Sequence, residues 1–276
     1  MNKTIIALTV SAAVMSISQA ALADEGKLTA GTGFNYSSGD YGTSTTTKIR
    51  SVPFDLGYET GAWTFKLSVP YVDISGPSNV IPGVGRVKNS NLNLRGGGVS
   101  VGLGGSGTSS SQTSGTARGM GDVVASASYN LYNNAAAQFG VDLAGKIKFG
   151  TADKDKGLGT GENDYGAEVD IYKTLDSVTL FGGVGYTKMG TSQYIQLKNV
   201  FNATAGASLK LSEVSSVGVA FDYRERASDT SFPRREATAF YSYRYAKAWK
   251  TQVYVLKGFS DGSPNWGAGA SIAYSF

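Results

Sequence analysis

Twelve strand-length segments, joined by connections that are short and long in strict turn, constrain this chain more than any single motif. The segments run 27–36, 48–59, 63–74, 120–131, 136–149, 162–173, 178–187, 199–211, 216–226, 236–246, 249–259 and 265–276. Each has the length of a tilted membrane-spanning strand. The turns at 60–62, 132–135, 174–177, 212–215 and 247–248 are tight. The stretches 37–47, 75–119, 150–161, 188–198, 227–235 and 260–264 are longer and polar. One-sided loop length is what an outer-membrane barrel shows, with short periplasmic turns and longer outer loops. A soluble sandwich with similar hairpins does not predict it. The expected fold is an all-β, antiparallel, up-and-down transmembrane β-barrel of about twelve strands.

The last segment illustrates the two faces. Trp266, Ala268, Ala270, Ile272, Tyr274 and Phe276 alternate with Gly267, Gly269, Ser271, Ala273 and Ser275. Strand side chains alternate with period two, so one face is apolar and aromatic and the other small. The Tyr274–Phe276 ending resembles the C-terminal signature that the barrel assembly machinery recognises, which makes these two residues a candidate assembly signal.

The N-terminus reads as a secretory signal peptide over 1–23. Lys3 gives a positive start, an apolar run follows from Ile5 to about Ile17, and Ala21-Leu22-Ala23 is a small-x-small cleavage site. The barrel would then occupy 24–276. Removing 1–23 takes out Lys3 alone, so Lys+Arg falls from 25 to 24 against 21 acids, a net +3. That balance gives no reason to expect nucleic acid as a partner. The expected partners are outer-membrane lipid, the barrel assembly machinery and a small-molecule solute, around a chain that is a monomer. The expected location is the outer membrane of a Gram-negative cell.

Charges on a lipid face cost roughly 2–4 kcal/mol for a base at midplane, so charged rows must point inward. In 136–149, Gln138, Asp142, Lys146 and Lys148 oppose Phe139, Val141, Leu143, Ile147 and Phe149. In the next segment Asp164, Glu168 and Asp170 oppose Tyr165, Ala167, Val169 and Ile171. A basic row thus meets an acidic row on neighbouring strands. Asp222, Arg224 and Arg226 follow the same rule, as does Arg244 beside Glu236 and Ser242. Lys66, Asp122, Asn130 and Lys210 join them. The candidate solute path is therefore Asp122, Asp142, Lys146, Lys148, Asp164, Glu168, Asp170, Asp222, Arg224 and Arg244. The same charges could brace a narrow barrel, and the two roles are compatible. Eight strands leave a filled interior and 16–18 a wide channel, so twelve should leave a narrow bore.

The connection 75–119 is the longest. Its apolar front, with Val80, Ile81, Pro82 and Arg86, and its later Arg95 are candidates for a constriction at the mouth. Its Gly/Ser/Thr tract suits an external loop. Gly102–Gly107 matches G-x-G-x-x-G, but no helix follows, so a nucleotide site is rejected. Asp153–Gly157 has calcium-loop residue types with cancelling lysines and the wrong spacing. The chain has no His and no Cys. Histidine acid–base chemistry, disulfides and Cys/His metal sites are thus excluded, and neither an enzyme, a cofactor nor a metal is expected.

Leu67–Val72, Gly119–Val124 and Lys146–Thr151, with Gly159 and Asn163-Asp164-Tyr165 beyond, resemble the outer-membrane β-barrel family named for a phenol-degradation meta-pathway. Its members are described as transporters. The resemblance implies passive uptake of small solutes of aromatic or hydrophobic character and supplies no catalytic residues. It also places Gly121-Asp122 where the long loop re-enters the sheet, with Asp122 at the lumen rim. The alternative function is a non-transporting surface barrel for adhesion or envelope structure.

Overall fold

The computed structural model describes residues 26–88 and 114–276, together with the backbone of 6–9 and 14–17. Ile6–Thr9 and Val14–Ile17 pair with each other and not with the main sheet. Most of the 1–23 segment, and Arg95 with the Gly102–Gly107 motif, lie outside the described residues.

The main sheet is a closed, twelve-stranded antiparallel barrel. Its strands are β1 (Lys27–Gly39), β2 (Thr47–Thr60), β3 (Trp63–Pro77), β4 (in two pieces, Ser114–Met120 and Val123–Asn134), β5 (Phe139–Phe149), β6 (Asp164–Leu175), β7 (Val178–Lys188), β8 (Val200–Lys210), β9 (Ser215–Arg224), β10 (Arg234–Tyr243), β11 (Trp249–Gly258) and β12 (Trp266–Ser275). Each pairs with its neighbours in sequence, and β12 closes on β1 from Trp266↔Ser38 to Ser275↔Thr29. This is the fold expected from the segment pattern, and most boundaries agree within three residues. The alternation of connections is explained by hairpin geometry. Gly61 takes φ +56° in the β2–β3 turn, a conformation that glycine adopts without steric cost.

Two boundaries differ in an informative way. Ser114–Met120 belongs to the wall, paired with the top of β3 from Tyr71↔Met120 to Pro77↔Ser114, so the loop after β3 is shorter than its composition suggests. The lower piece of β4 pairs with β3 only from Ser68 downward. The break is Gly121-Asp122. The Gly121 N–H donates to the Pro70 carbonyl at 2.7 Å, and a Cβ on Gly121 would come within 3.0 Å of the Pro70 ring. Gln138, expected on the lumen row of its strand, instead sits in the turn before β5 at φ +50°. Arg226, expected inside, lies exposed in the loop beyond β9.

The outer surface is apolar. Val184, Val219 and Val255 are each about 60 % exposed, which is the arrangement of a wall whose solvent is lipid. Aromatics collect at its two ends. Trp63 meets Phe65 and Tyr129, and Trp249 meets Tyr245 and Tyr274, at the turn end. Tyr36 meets Trp266 and Tyr186 meets Phe201 at the loop end. Tyr274 also stands edge-on to Phe276 with centroids 4.8 Å apart. The Phe276 N–H bonds the Leu28 carbonyl, and its ring is the most exposed large apolar side chain described.

Candidate functional site

Inside the barrel the two halves are unlike. On one side, four inward aromatics lie opposite four glycines in direct cross-strand register. Tyr172 pairs with Gly140, Phe181 with Gly206, Phe240 with Gly218 and Tyr254 with Gly269. The fit is close: a Cβ on any of these glycines would meet its aromatic ring at 2.2–2.4 Å. A glycine leaves the flat area on which a ring can lie across the strands. Tyr172, Phe181, Phe240 and Ala220 form one buried cluster with Tyr254 against it. This cluster fills the interior along β6, β7, β9, β10 and β11. Sequence reasoning missed it because aromatics were read as lipid-facing. The parity of Tyr172 with Glu168, of Phe240 with Ser242 and of Tyr254 with Gln252 was the available signal.

The other side is open. A cavity of about 830 Å³ is lined mainly by β12, β1, β2, β3, β4 and β5, and Glu168 and Asp170 of β6, Arg234 and Glu236 of β10 and Gln252, Tyr254 and Leu256 of β11 also reach it. Its small wall is Gly31, Gly33, Gly267, Ser271, Ala273 and Ser275. None of Tyr172, Phe181 or Phe240 lines it. The bore is therefore eccentric: Tyr172, Phe181 and Phe240 occupy one side, Tyr254 borders the cavity, and the glycine- and serine-rich strands leave the opposite side vacant.

The sequence-predicted lumen residues divide into three groups. Asp142, Lys146, Glu168, Asp170 and Arg244 line the cavity. Asp142 accepts a hydrogen bond from Asn130, and Glu168 one from Asn202 at 3.4 Å. Asp122 and Lys148 reach the cavity but are engaged in a brace at its outer rim. The Lys148 ammonium lies 3.2 Å from Asp122, 2.9 Å from Asp164 and 3.1 Å from the Thr160 hydroxyl. The other Asp122 oxygen accepts from the Ala152 N–H, and the other Asp164 oxygen from the Gly190 N–H. One lysine thus ties β4, β5 and β6 to the two loops above them. Asp164 and Asp222 are not among the cavity-lining residues. Asp164 is committed to that brace, and Asp222 accepts from Thr204 at 2.8 Å. Lys210, expected in the lumen, pairs with Glu213 at the short turn between β8 and β9.

At the outer mouth, residues 80–87 fold inward. Val80–Ile81 and Gly85–Arg86 form a two-rung ribbon. Val80, Ile81 and Val87 are almost fully buried. Ile81, Val84 and Val87 pack with Met189, Ile195, Leu197, Val200 and Ala227 from the loops around β7–β9, while Ile81, Pro82 and Val84 also face the cavity. Three polar ties fix the ribbon. Arg224 donates to the Gly83 and Val84 carbonyls at 2.6 and 2.8 Å. Arg86 donates to the Gly42 carbonyl at 2.6 Å, and the Ser228 hydroxyl donates to the Arg86 carbonyl at 3.4 Å. Arg224 was expected to line the lumen, and it does so while also holding the ribbon.

Beneath the ribbon lie residues that sequence reasoning did not single out. Glu236 is fully buried, lines the cavity and has Arg234 Nε 3.3 Å from one carboxylate oxygen. Tyr41, from the β1–β2 loop, is buried at φ +50°. Burial pushes its hydroxyl up to about 12, against the opposing hydrogen bond of Ser37. Tyr41 therefore stays neutral and able to donate throughout the physiological range. Among the described residues no group of His, Cys, Asp and Glu is arranged to hold a metal ion.

A family model described as "Putative MetA-pathway of phenol degradation" matches residues 24–276. The chain belongs to this family. No curated protein matches it. Among solved structures it resembles the COG4313 outer membrane channel from Pseudomonas putida F1, at 11 % identity and a TM-score of 0.66, over 91 % of this chain and 96 % of that one. It also resembles the NanC porin, at 10 % identity and TM-score 0.52 over 90 % and 98 %. The KdgM porin matches at 11 % and 0.51 over 89 % and 99 %. At these identities the likeness is one of fold, and the fold is that of outer-membrane channels.

Proposed function

We propose that this family member is a passive outer-membrane channel whose path is the eccentric cavity. One observation carries the reading: an inward ribbon roofs the open half of a barrel whose other half is filled. A barrel needed only to present loops gains nothing from a polar cavity roofed by a pinned apolar ribbon. The volume of about 830 Å³ lies in the range that holds one small organic molecule, ~300–1,000 Å³. It is not the bore of a wide diffusion pore.

The lining supports an amphipathic solute. Tyr41, Tyr254, Ile81, Pro82 and Leu256 offer apolar and aromatic surface, while Lys146, Glu168, Asp170, Arg234 and Glu236 offer charge. A small aromatic or hydrophobic body bearing one polar group meets both. Among the described residues no group of His, Cys, Asp and Glu is arranged to hold a metal ion, and the proposed role is passage of that solute.

Reconstitution of purified protein in planar bilayers and in liposomes tests this. The channel reading predicts discrete low-conductance steps and faster liposome swelling with small aromatic acids than with sugars. Silent bilayers and no swelling would replace it with the non-transporting surface barrel.

A further inference from the structure

The outward face of the barrel carries charge at one end and on one side. Arg235 on β10, Lys257 on β11, Arg50 on β2 and Arg118 on the upper piece of β4 are all exposed. Each shares the parity of lipid-facing neighbours: Lys257 with Val255, Arg50 with Phe54, and Arg118 with Met120. All four lie toward the long-loop ends of their strands.

They are linked by register. Arg235 and Lys257 lie on adjoining strands, with Ala237 opposite Lys257. Lys257 stands opposite Trp266. Trp266 contacts Tyr36 with ring centroids 5.1 Å apart. Tyr36 stands opposite Arg50, Arg50 opposite Asp73, and Asp73 opposite Arg118. One arc thus crosses seven neighbouring strands from β10 through the closure to β4. Among the described residues its one acid is Asp73, 3.8 Å from Arg50 across a solvent-exposed gap, and a pair of that kind is weak. The other half of the same rim offers Lys188 and, just past β9, Glu225 beside the exposed Arg226, so its excess of base is smaller.

Bases beside interfacial Trp and Tyr, on a face that otherwise meets hydrocarbon, sit where lipid headgroups lie. We propose that this arc binds the phosphates of an anionic glycolipid in the outer leaflet, with Arg50, Arg235 and Lys257 as the phosphate ligands and Trp266–Tyr36 as the platform between them. Guanidinium groups suit this task because their donor fork matches phosphate oxygens. The arc borders the strands that line the cavity, so a bound glycolipid would lie against the open half of the barrel. The proposal rests on the chain spanning the outer membrane with its long loops outward.

The test uses the full folded chain in detergent with bis-phosphorylated hexa-acyl lipid A as probe, and native mass spectrometry as readout. At about 1 kcal/mol per base near an anionic surface, R50Q/R235Q/K257Q should bind on the order of 100-fold more weakly. K188Q, on the far side, should bind as wild type, and R50K/R235K, which keeps the charge but loses the donor fork, should fall between wild type and the triple variant. Phosphate-free lipid A should not bind measurably. The proposal is overturned if the triple variant binds like wild type, if K188Q falls as far, or if the phosphate-free lipid binds equally. Lipid A binding by a barrel that is silent in bilayers would sink the channel reading and leave this arc standing.

Discussion

The guanidinium of Arg224 reaches from the outer end of β9 to the carbonyl of Gly83, 141 residues away in sequence, and donates to it at 2.6 Å. Its second donor takes the Val84 carbonyl, so a single side chain from the filled half holds the roof over the open half. Hydrogen bonds from charged donors contribute about 1.5–3 kcal/mol each. Losing both should shift the ribbon toward an open state by at least ~3 kcal/mol. Arg224→Gln should therefore raise mean single-channel conductance in bilayers while leaving the folded barrel intact by circular dichroism. An unchanged conductance would show that the ribbon does not limit passage.

The paired aromatics and glycines make a second prediction. A Cβ on Gly218 would meet the Phe240 ring at 2.3 Å, whereas one on Gly145 meets nothing within 4 Å. Overpacking of a fitted interior costs about 1–3 kcal/mol. Gly218→Ala should lower the urea midpoint of the micelle-folded barrel by that amount, and Gly145→Ala should leave it nearly unaltered. Equal midpoints would remove the aromatic–glycine fit from the list of stabilising contacts.

The brace at the rim makes a third. Lys148 satisfies two carboxylates that are themselves largely buried. Removing one partner of a buried ion pair costs about 3–5 kcal/mol because a charge is left unmatched. Lys148→Met should loosen the 150–163 and 189–199 loops, seen as faster proteolytic nicking there. Adding Asp122→Asn and Asp164→Asn should recover much of the loss. A single variant as protease-resistant as wild type would contradict the brace.

Legibility in the sequence followed the physics of each feature. The strands from 136 to 276 could be placed because lipid on one face and a polar lumen on the other impose strict alternation, as in Val217, Val219 and Phe221 against Asp222 and Arg224. The resemblance to the family placed Gly121-Asp122 where the long loop re-enters the sheet, and a glycine there permits the close backbone approach that the Pro70 carbonyl makes. Ser114–Met120 could not be anticipated, because its residues have little strand propensity and it is held by register with Tyr71–Pro77. The aromatic–glycine pairs were equally hidden. That Phe181 meets Gly206 depends on how the loop after β7 sets the register with β8, and composition carries no trace of that. The inward ribbon also needs three dimensions, since Arg224 and Gly83 share no local pattern.

The central claim is that solute moves along the small wall and not through the middle. The chain has no cysteine, so single introduced thiols report position without background. Ser271 lines the cavity, while Ser242 points inward on the filled side, where it is buried. A charged methanethiosulfonate reagent, added during single-channel recording, should produce a stepwise loss of conductance in Ser271→Cys and no change in Ser242→Cys. Block at Ser242→Cys with none at Ser271→Cys would contradict the eccentric path.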